Sequence, residues 1–207
     1  MGSSTSSRSP GSARVIVVTG PSGAGKGTLI RMLVERTPQL EVAVSATTRA
    51  RREGEVDGRE YWFVTEEEFE KRVQAGAFLE WVVYVSGHRY GTLASEIDRI
   101  AGEGKVCVLE LETEGALTVK RTVPGAVTIF ITASLAELER RLRMRATESA
   151  GEIDERLDLA RHQLEQANEF DHVVLNDDRE RAADELVEVV LRAIRPSLHA
   201  AGTMHRP

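Results

Sequence analysis

An α/β fold in three layers, with a parallel sheet between two layers of helices, is what this sequence predicts. Two observations point to it. Short runs of β-branched and apolar residues alternate with segments of helical spacing, and the first run ends in a glycine-rich loop that opens onto a helix. Such alternation puts helices on both faces of the sheet and ligands at the carboxyl ends of the strands. A chain of 207 residues fits one domain with enough interior for a real core.

The elements follow in order. Arg14 to Thr19 is a buried strand ending at Gly20, and Lys26 to Arg36 is a helix with Leu29, Met32 and Leu33 on one face. Glu41 to Ser45 reads as a second strand and Glu60 to Val64 as an extended piece. Thr65 with Glu68 makes a capping box for a helix through about Gln74. Phe78 to Val85 is a strand, and Ala94 to Ala101 a helix stopped by Gly102 and Gly104. Val106 to Leu111 and Val127 to Ile131 are strands. Ser134 and Glu137 form a second capping box for a helix to about Arg145, and another helix covers about Glu152 to Asn168. Val173 to Leu175 is a short strand, and Ala182 to Ile194 the last helix before Pro196.

Two stretches interrupt the alternation: residues 45–92, with extra strands, and residues 137–156, rich in arginine. Both read as insertions on one core built from 14–44, 93–136 and 157–196. Residues 1–13, rich in Ser, Gly and Pro without periodicity, read as a disordered tail, and 197–207 as a loose end.

Composition excludes some roles. The formal net charge is −6, so general attraction to nucleic acid or anionic lipid is not expected. No apolar run approaches the ~20 residues needed to span a bilayer. Cys107, the single cysteine, lies in an apolar run and suits a reducing compartment, so a cytoplasmic location is expected. His88, His162, His172, His199 and His205 are scattered without ligand spacing.

Residues 20–28 read GPSGAGKGT: Gly20, Pro21, Ser22, Gly23, Ala24, Gly25, Lys26, Gly27 and Thr28. Gly20, Gly25 and Lys26 fit G-x-x-x-x-G-K-(S/T), with Gly27 at the hydroxyl position and Thr28 next. Glycines let backbone N–H groups turn toward phosphate oxygens, the following helix offers its positive end, and Lys26 reaches the β- and γ-phosphates. The loop predicts a nucleoside triphosphate as a ligand. Mg²⁺ would normally take the hydroxyl that Gly27 lacks, so either Thr28 or water replaces it.

From Ser45 to Phe63 the chain reads SATTRARREGEVDGREYWF. This segment resembles the GMP-binding segment of guanylate kinases, S-x-T-T-R-x-x-R-x-G-E-x-x-G-x-x-Y-x-F, at every specified position. The resemblance extends over about residues 14–195. It implies a P-loop kinase core carrying a GMP-binding insertion, 45–92, and an arginine-rich lid, 137–156, and it implies transfer of the γ-phosphoryl group of ATP to GMP, and to dGMP.

The residue chemistry agrees with that implication. Arg49 and Arg52 offer planar donor forks to a phosphate dianion, and Tyr61 and Tyr90 add phenolic hydroxyls. Glu80 can accept guanine N1–H and the 2-amino group, while Ser45 and Thr92 can donate to O6. One more residue separates Glu80 from Tyr90 than in the common family pattern. In VLELETEGA, Glu110 matches the family's first acid, and Glu112 replaces its aspartate and Glu114 its glutamine. By resemblance Glu112 contacts guanine or the metal's water shell, so Thr28 and Glu112 are the metal-side candidates. Arg141, Arg145 and Arg156 fall on the lid's arginine positions, and Asn176 on a position near the adenine.

A phosphate acceptor is already ionised near neutral pH, so no general base is needed. Lys26, Arg49 and the lid arginines are the expected catalytic groups, acting by alignment and charge neutralisation. The rival readings are a kinase of this fold acting on another small phosphate, a binding module of the scaffold type, and a nucleotide-binding regulator without turnover. The joint presence of Glu80, Ser45 and Thr92 speaks against the first, and an intact Lys26 against the second.

Overall fold

The computed structural model describes residues 15–84, 87–144 and 150–194. The two tails, Arg145 and Pro196 lie outside the described residues. Alternation along the first strand sets the architecture. In β1, Val15–Thr19, the side chains of Ile16 and Val18 enter one hydrophobic cluster and those of Val15 and Val17 another, on the opposite face. A strand buried on both faces lies inside a three-layer sandwich.

The helix α1, Lys26–Arg36, and the strand β2, Leu40–Val42, follow. Downstream come α3, Ala94–Gly102; β7, Val106–Glu110; α4, Thr113–Thr122; and β8, Val127–Thr132. Then come α5, Leu135–Met144; α6, Ala150–Glu165; a 3₁₀ turn, Ala167–Glu169; β9, His172–Leu175; and α7, Arg179–Ile194. The five core strands run in the order β2-β7-β1-β8-β9, and every pairing is parallel. Leu29 and Leu33 of α1, Leu138 of α5, Ala160 of α6 and Leu186 of α7 fill one side; Ile100 of α3, Ala116 and Val119 of α4 and Phe170 fill the other.

A second sheet stands on the carboxyl side of the first. It consists of β3, Ala46–Thr47; β4, Trp62–Phe63; β5, Phe78–Val83; and β6, Arg89–Leu93, in the order β4-β3-β6-β5. The helix α2, Glu66–Gln74, covers it through buried Phe69, whose ring stacks on Phe78 at 4.4 Å. Both capping boxes form their first bond: Glu68 N–H donates to Thr65 Oγ1 at 3.1 Å, and Glu137 N–H to Ser134 Oγ at 3.2 Å.

The apolar run expected as one strand over 41–45 is divided between the sheets. Ala43 N–H still bonds to Val108 of the core, then Val44 N–H turns to the buried carboxylate of Glu96 at 3.0 Å, and the chain re-enters pairing at Ala46. Two elements had no counterpart in the sequence reading. The helix α4 carries Thr113, Gly115, Thr118, Val119 and Thr122, all weak helix formers, and its N-terminus has no side-chain cap. The strand β6 has Gly91 at its centre, where a Cβ would stand 2.8 Å from both the Phe78 ring and Trp81 Cβ, the close approach that a strand glycine marks. The helix α7 begins at Arg179, one turn before the expected Ala182, because Asp178 accepts the N–H of Arg181 at 2.9 Å and the first turn is polar.

Candidate active site

The glycine-rich loop leaves β1 under the edge of β8. Gly20 has φ 139° and a Cβ there would lie 2.0 Å from the Ile131 carbonyl oxygen, so only glycine passes. At the other end Gly25, φ 91°, takes the left-handed conformation that turns the chain into α1. Lys26 folds back over the loop, its Nζ donating to Gly20 O at 2.5 Å. A cleft of about 280 Å³ lies above, lined by Pro21, Ser22, Gly23, Gly25, Lys26, Gly27, Thr28, Arg31 and Glu110.

The underside of that loop is held by two residues expected at the nucleotide itself. Asn176 Nδ2 donates to Ala24 O at 2.7 Å, and its Oδ1 is buried without a hydrogen-bond partner. Arg141 donates to the carbonyls of Gly23 and Ala24, both at 3.3 Å, and to Asn176 O at 2.9 Å, while its Nε binds Glu137 at 2.6 Å. In this structure Arg141 braces the cradle from the protein side. Arg145 lies outside the described residues.

Across the cleft the second sheet presents the acceptor residues. Glu80, on β5, is 9% exposed; its Oε1 accepts the Thr92 N–H at 3.1 Å. Burial raises its pKa, the Thr92 bonds oppose the rise, and the charge of Glu112 adds to it. Ser45 Oγ and Thr92 Oγ1 lie 3.4 Å apart, one from each flank of the same wall. Tyr61 and Tyr90 meet edge to face at 5.8 Å, and burial, with the charge of Glu110, keeps the Tyr61 phenol protonated above its ordinary value.

Arg49 is engaged by protein. Its fork binds both oxygens of Glu55 at 2.8 and 3.0 Å, and its guanidinium lies 5.5 Å from the Tyr61 ring and 5.6 Å from the Phe63 ring. Glu55 also accepts the backbone N–H of Arg52 at 2.7 Å.

One cavity of about 620 Å³ joins the two halves. Its walls include Ser22 and Lys26 from the phosphate loop, Ser45, Arg52, Tyr61, Glu80 and Tyr90 from the second sheet, Glu110 and Glu112 from the end of β7, and Arg156 from α6. Arg49, Arg141 and Asn176 are bonded to protein groups, and Thr92 flanks the second-sheet wall beside Ser45. Glu110, absent from the expected site residues, belongs to both clefts. Its signal was available as the first acid of VLELETEGA. Burial raises its pKa and the charge of Lys26 opposes the rise.

Among the described residues no group of three or more His, Cys, Asp or Glu is arranged to hold a metal ion. Mg²⁺ asks less of a protein, taking one or two oxygen ligands and completing its shell with phosphate and water. Thr28 and Glu110 are hard oxygen donors on the phosphate-loop cleft, and Glu110 Oε2 lies 3.8 Å from where a Gly27 Cβ would be. The residues present therefore fit that ion. Glu112 lines the adjoining larger cavity, and Glu110 lines both.

A phosphate cradle on the carboxyl edge of a parallel sheet, facing a second polar wall across one cavity, defines a P-loop kinase of small phosphorylated molecules. The guanylate kinase sequence model matches residues 12–193. A guanylate kinase of Rubrobacter xylanophilus is 50% identical over 182 residues, covering 87% of this chain and 95% of that protein. One from Synechococcus sp. (strain CC9311) is 47% identical, covering 84% and 92%. The crystal structure of guanylate kinase from Anaplasma phagocytophilum superposes with a TM-score of 0.70 at 28% identity, covering 89% of this chain and 88% of that one. The chain belongs to the guanylate kinase family.

Proposed function

We propose that the chain transfers the γ-phosphoryl group of ATP to GMP, giving ADP and GDP, as an ATP-dependent GMP phosphotransferase. One observation supports this best: the 620 Å³ cavity is lined both by Lys26 of the phosphate loop and by the buried carboxylate of Glu80 on the second sheet. Two nucleotides can enter it with their phosphates meeting in the middle.

ATP lays its phosphates on residues 20–28, where backbone N–H groups, the α1 terminus and Lys26 receive them. GMP enters with guanine against Glu80, Ser45 and Thr92 and its phosphate toward Arg52, Tyr61 and Tyr90. Arg49 supports that phosphate site through Glu55, and Arg156 covers the transferring group. Thr28 and Glu110 are the residues that would hold Mg²⁺ or its water shell. The ion neutralises phosphate charge when bound. The acceptor oxygen of GMP attacks the γ-phosphorus in line, and the bond to the ADP oxygen breaks. No proton need be removed first, so the protein's task is alignment and charge stabilisation. Closure of 45–92 and 137–156 over both substrates excludes water. dGMP fits the same site, since none of the groups assigned to the acceptor reads the ribose 2′-hydroxyl. No helix among the described residues is long and apolar enough to cross a membrane, and with one buried free thiol, Cys107, we place the protein in the cytoplasm.

Coupled measurement of ADP production with GMP, AMP, CMP and UMP tests the reading. GMP is expected to exceed the others by about 10⁴-fold in kcat/KM, because a mismatched base leaves the buried carboxylate unpaired. Glu80→Gln is expected to lose most of that preference. Equal use of AMP by the parent protein would overturn the assignment.

A further inference from the structure

We propose that Gly115 is a specificity-determining residue of the acceptor site: the side chain it lacks leaves the space in which the Glu80 carboxylate stands. The inference rests on reading Glu80 as the group that accepts guanine's N1–H and 2-amino group.

Gly115 is the third residue of α4 and is buried. It is not among the glycines with positive φ, so no turn requires it, and within a helix glycine is a poorer choice than alanine. What the position demands is space. An ideal Cβ at Gly115 would lie 2.7 Å from Glu80 Oε2, 3.2 Å from its Cδ and 3.5 Å from its Cγ; these are the three nearest heavy atoms. Gly102, near the end of α3, has nothing within 4 Å of its own Cβ position. The obstacle at 115 is thus the end of one side chain, with no backbone atom closer.

That side chain is held from the other direction. Glu80 Oε1 accepts the N–H of Thr92, and Thr92 also lies beside Ser45 in the wall that faces O6 of the base. The carboxylate is therefore fixed between a backbone donor on β6 and the bare first turn of α4. A methyl group at 115 forces it off that position. A neighbouring cavity of about 340 Å³, lined by Glu80, Trp81, Gly115 and Thr118 among others, gives the displaced carboxylate room away from the acceptor site. The helix keeps its backbone and gains a better helix former, so the fold is spared while base reading is damaged.

The test compares the parent, Gly115→Ala, Glu80→Asp and the double variant Gly115→Ala/Glu80→Asp. The readouts are KM and kcat for GMP, KM for ATP, the preference for GMP over inosine monophosphate (which lacks the 2-amino group), and the unfolding temperature. For Gly115→Ala the GMP KM is expected to rise about 10-fold or more, the scale of losing a charge-assisted hydrogen bond. The ATP KM is expected to stay within about twofold and the unfolding temperature at or above the parent's. Preference over inosine monophosphate shrinks, and the double variant, whose carboxylate is one methylene shorter, recovers part of the GMP KM relative to Gly115→Ala. A parent that prefers GMP, with a Gly115→Ala protein indistinguishable from it, overturns this inference alone. So does a Gly115→Ala protein that fails to fold, because then backbone and not the Glu80 side chain is what yields. A parent that takes AMP as readily as GMP removes the underlying reading, and this inference with it.

Discussion

Arg49 and Glu55 form a two-bond pair, 2.8 and 3.0 Å, with side chains only 12% and 18% exposed. The same carboxylate receives the backbone N–H of Arg52. Glu55 thereby sets the position of both arginines of the acceptor segment, and the Tyr61 and Phe63 rings support Arg49 on its faces. Arg52 is the one of the two that lines the cavity.

From that arrangement, Glu55→Gln is predicted to raise the GMP KM by about 10-fold, since glutamine carries no charge and keeps only one acceptor oxygen, so the two-bond fork cannot form. The ATP KM is predicted to stay near the parent's, because Glu55 has no contact with residues 20–28. Steady-state kinetics with each nucleotide varied in turn checks it; an equal rise for both nucleotides would contradict the assignment of Glu55 to the acceptor side.

Lys26 is predicted to be indispensable for turnover and dispensable for folding. Its ammonium bonds to loop carbonyls and faces the charge of Glu110, both of which a γ-phosphate can replace as partners. Lys26→Ala is expected to lower kcat at least about 100-fold, the scale seen when a preorganised donor is removed from a transition state. Circular dichroism is expected to match the parent. Near-normal rates would remove the phosphate-loop assignment.

The parts of the molecule legible in the sequence are those where a local pattern and the tertiary outcome agree. The strand of Val15–Thr19, the helix of Lys26–Arg36 and the two capping boxes appear where periodicity and caps put them. The phosphate loop and the segment from Ser45 to Phe63 were legible because their residue types recur at fixed spacing. Elements stabilised by packing were not: α4 is built from weak helix formers that β5 and the core hold in place, and β6 pairs around a glycine that a ring must approach. Among the site residues, spacing could not tell which arginines face the cavity. Arg49 and Arg141 match the expected positions, yet a carboxylate occupies one and loop carbonyls the other. Nothing local explains Gly115, since the reason for it lies in a side chain 35 positions away on another sheet.

Arg141 is predicted to act on ATP binding more than on chemistry. Its planar fork spans the carbonyls of Gly23, Ala24 and Asn176, which a lysine's single ammonium cannot reproduce. Arg141→Lys is expected to raise the ATP KM about fivefold or more, the loss of at least one hydrogen bond donated by the charged guanidinium, with the GMP KM unchanged and kcat lowered less than the ATP KM is raised. A variant with a collapsed kcat and an unchanged ATP KM would place Arg141 on the transferring phosphoryl group instead.

Acid stability depends in part on the same corner of the fold. Glu137 accepts from Arg140 at 2.8 and 2.7 Å and from Arg141 at 2.6 Å, and those bonds hold its pKa down from 4.5 to about 2. A carboxylate with a depressed folded pKa binds fewer protons in the native than in the unfolded protein. Its contribution is complete above the unfolded value and is lost as pH falls from there through about 2. Other depressed acids, Glu41 and Asp171 among them, titrate in the same direction, so the parent's curve alone does not isolate Glu137. The difference between parent and Glu137→Gln does. Unfolding temperatures of the two proteins are predicted to lie furthest apart near neutral pH and to converge as the solution is acidified below the ordinary carboxylate range. Curves that stay parallel down to the lowest pH at which both remain folded would show that the Arg140 and Arg141 contacts contribute nothing as ion pairs.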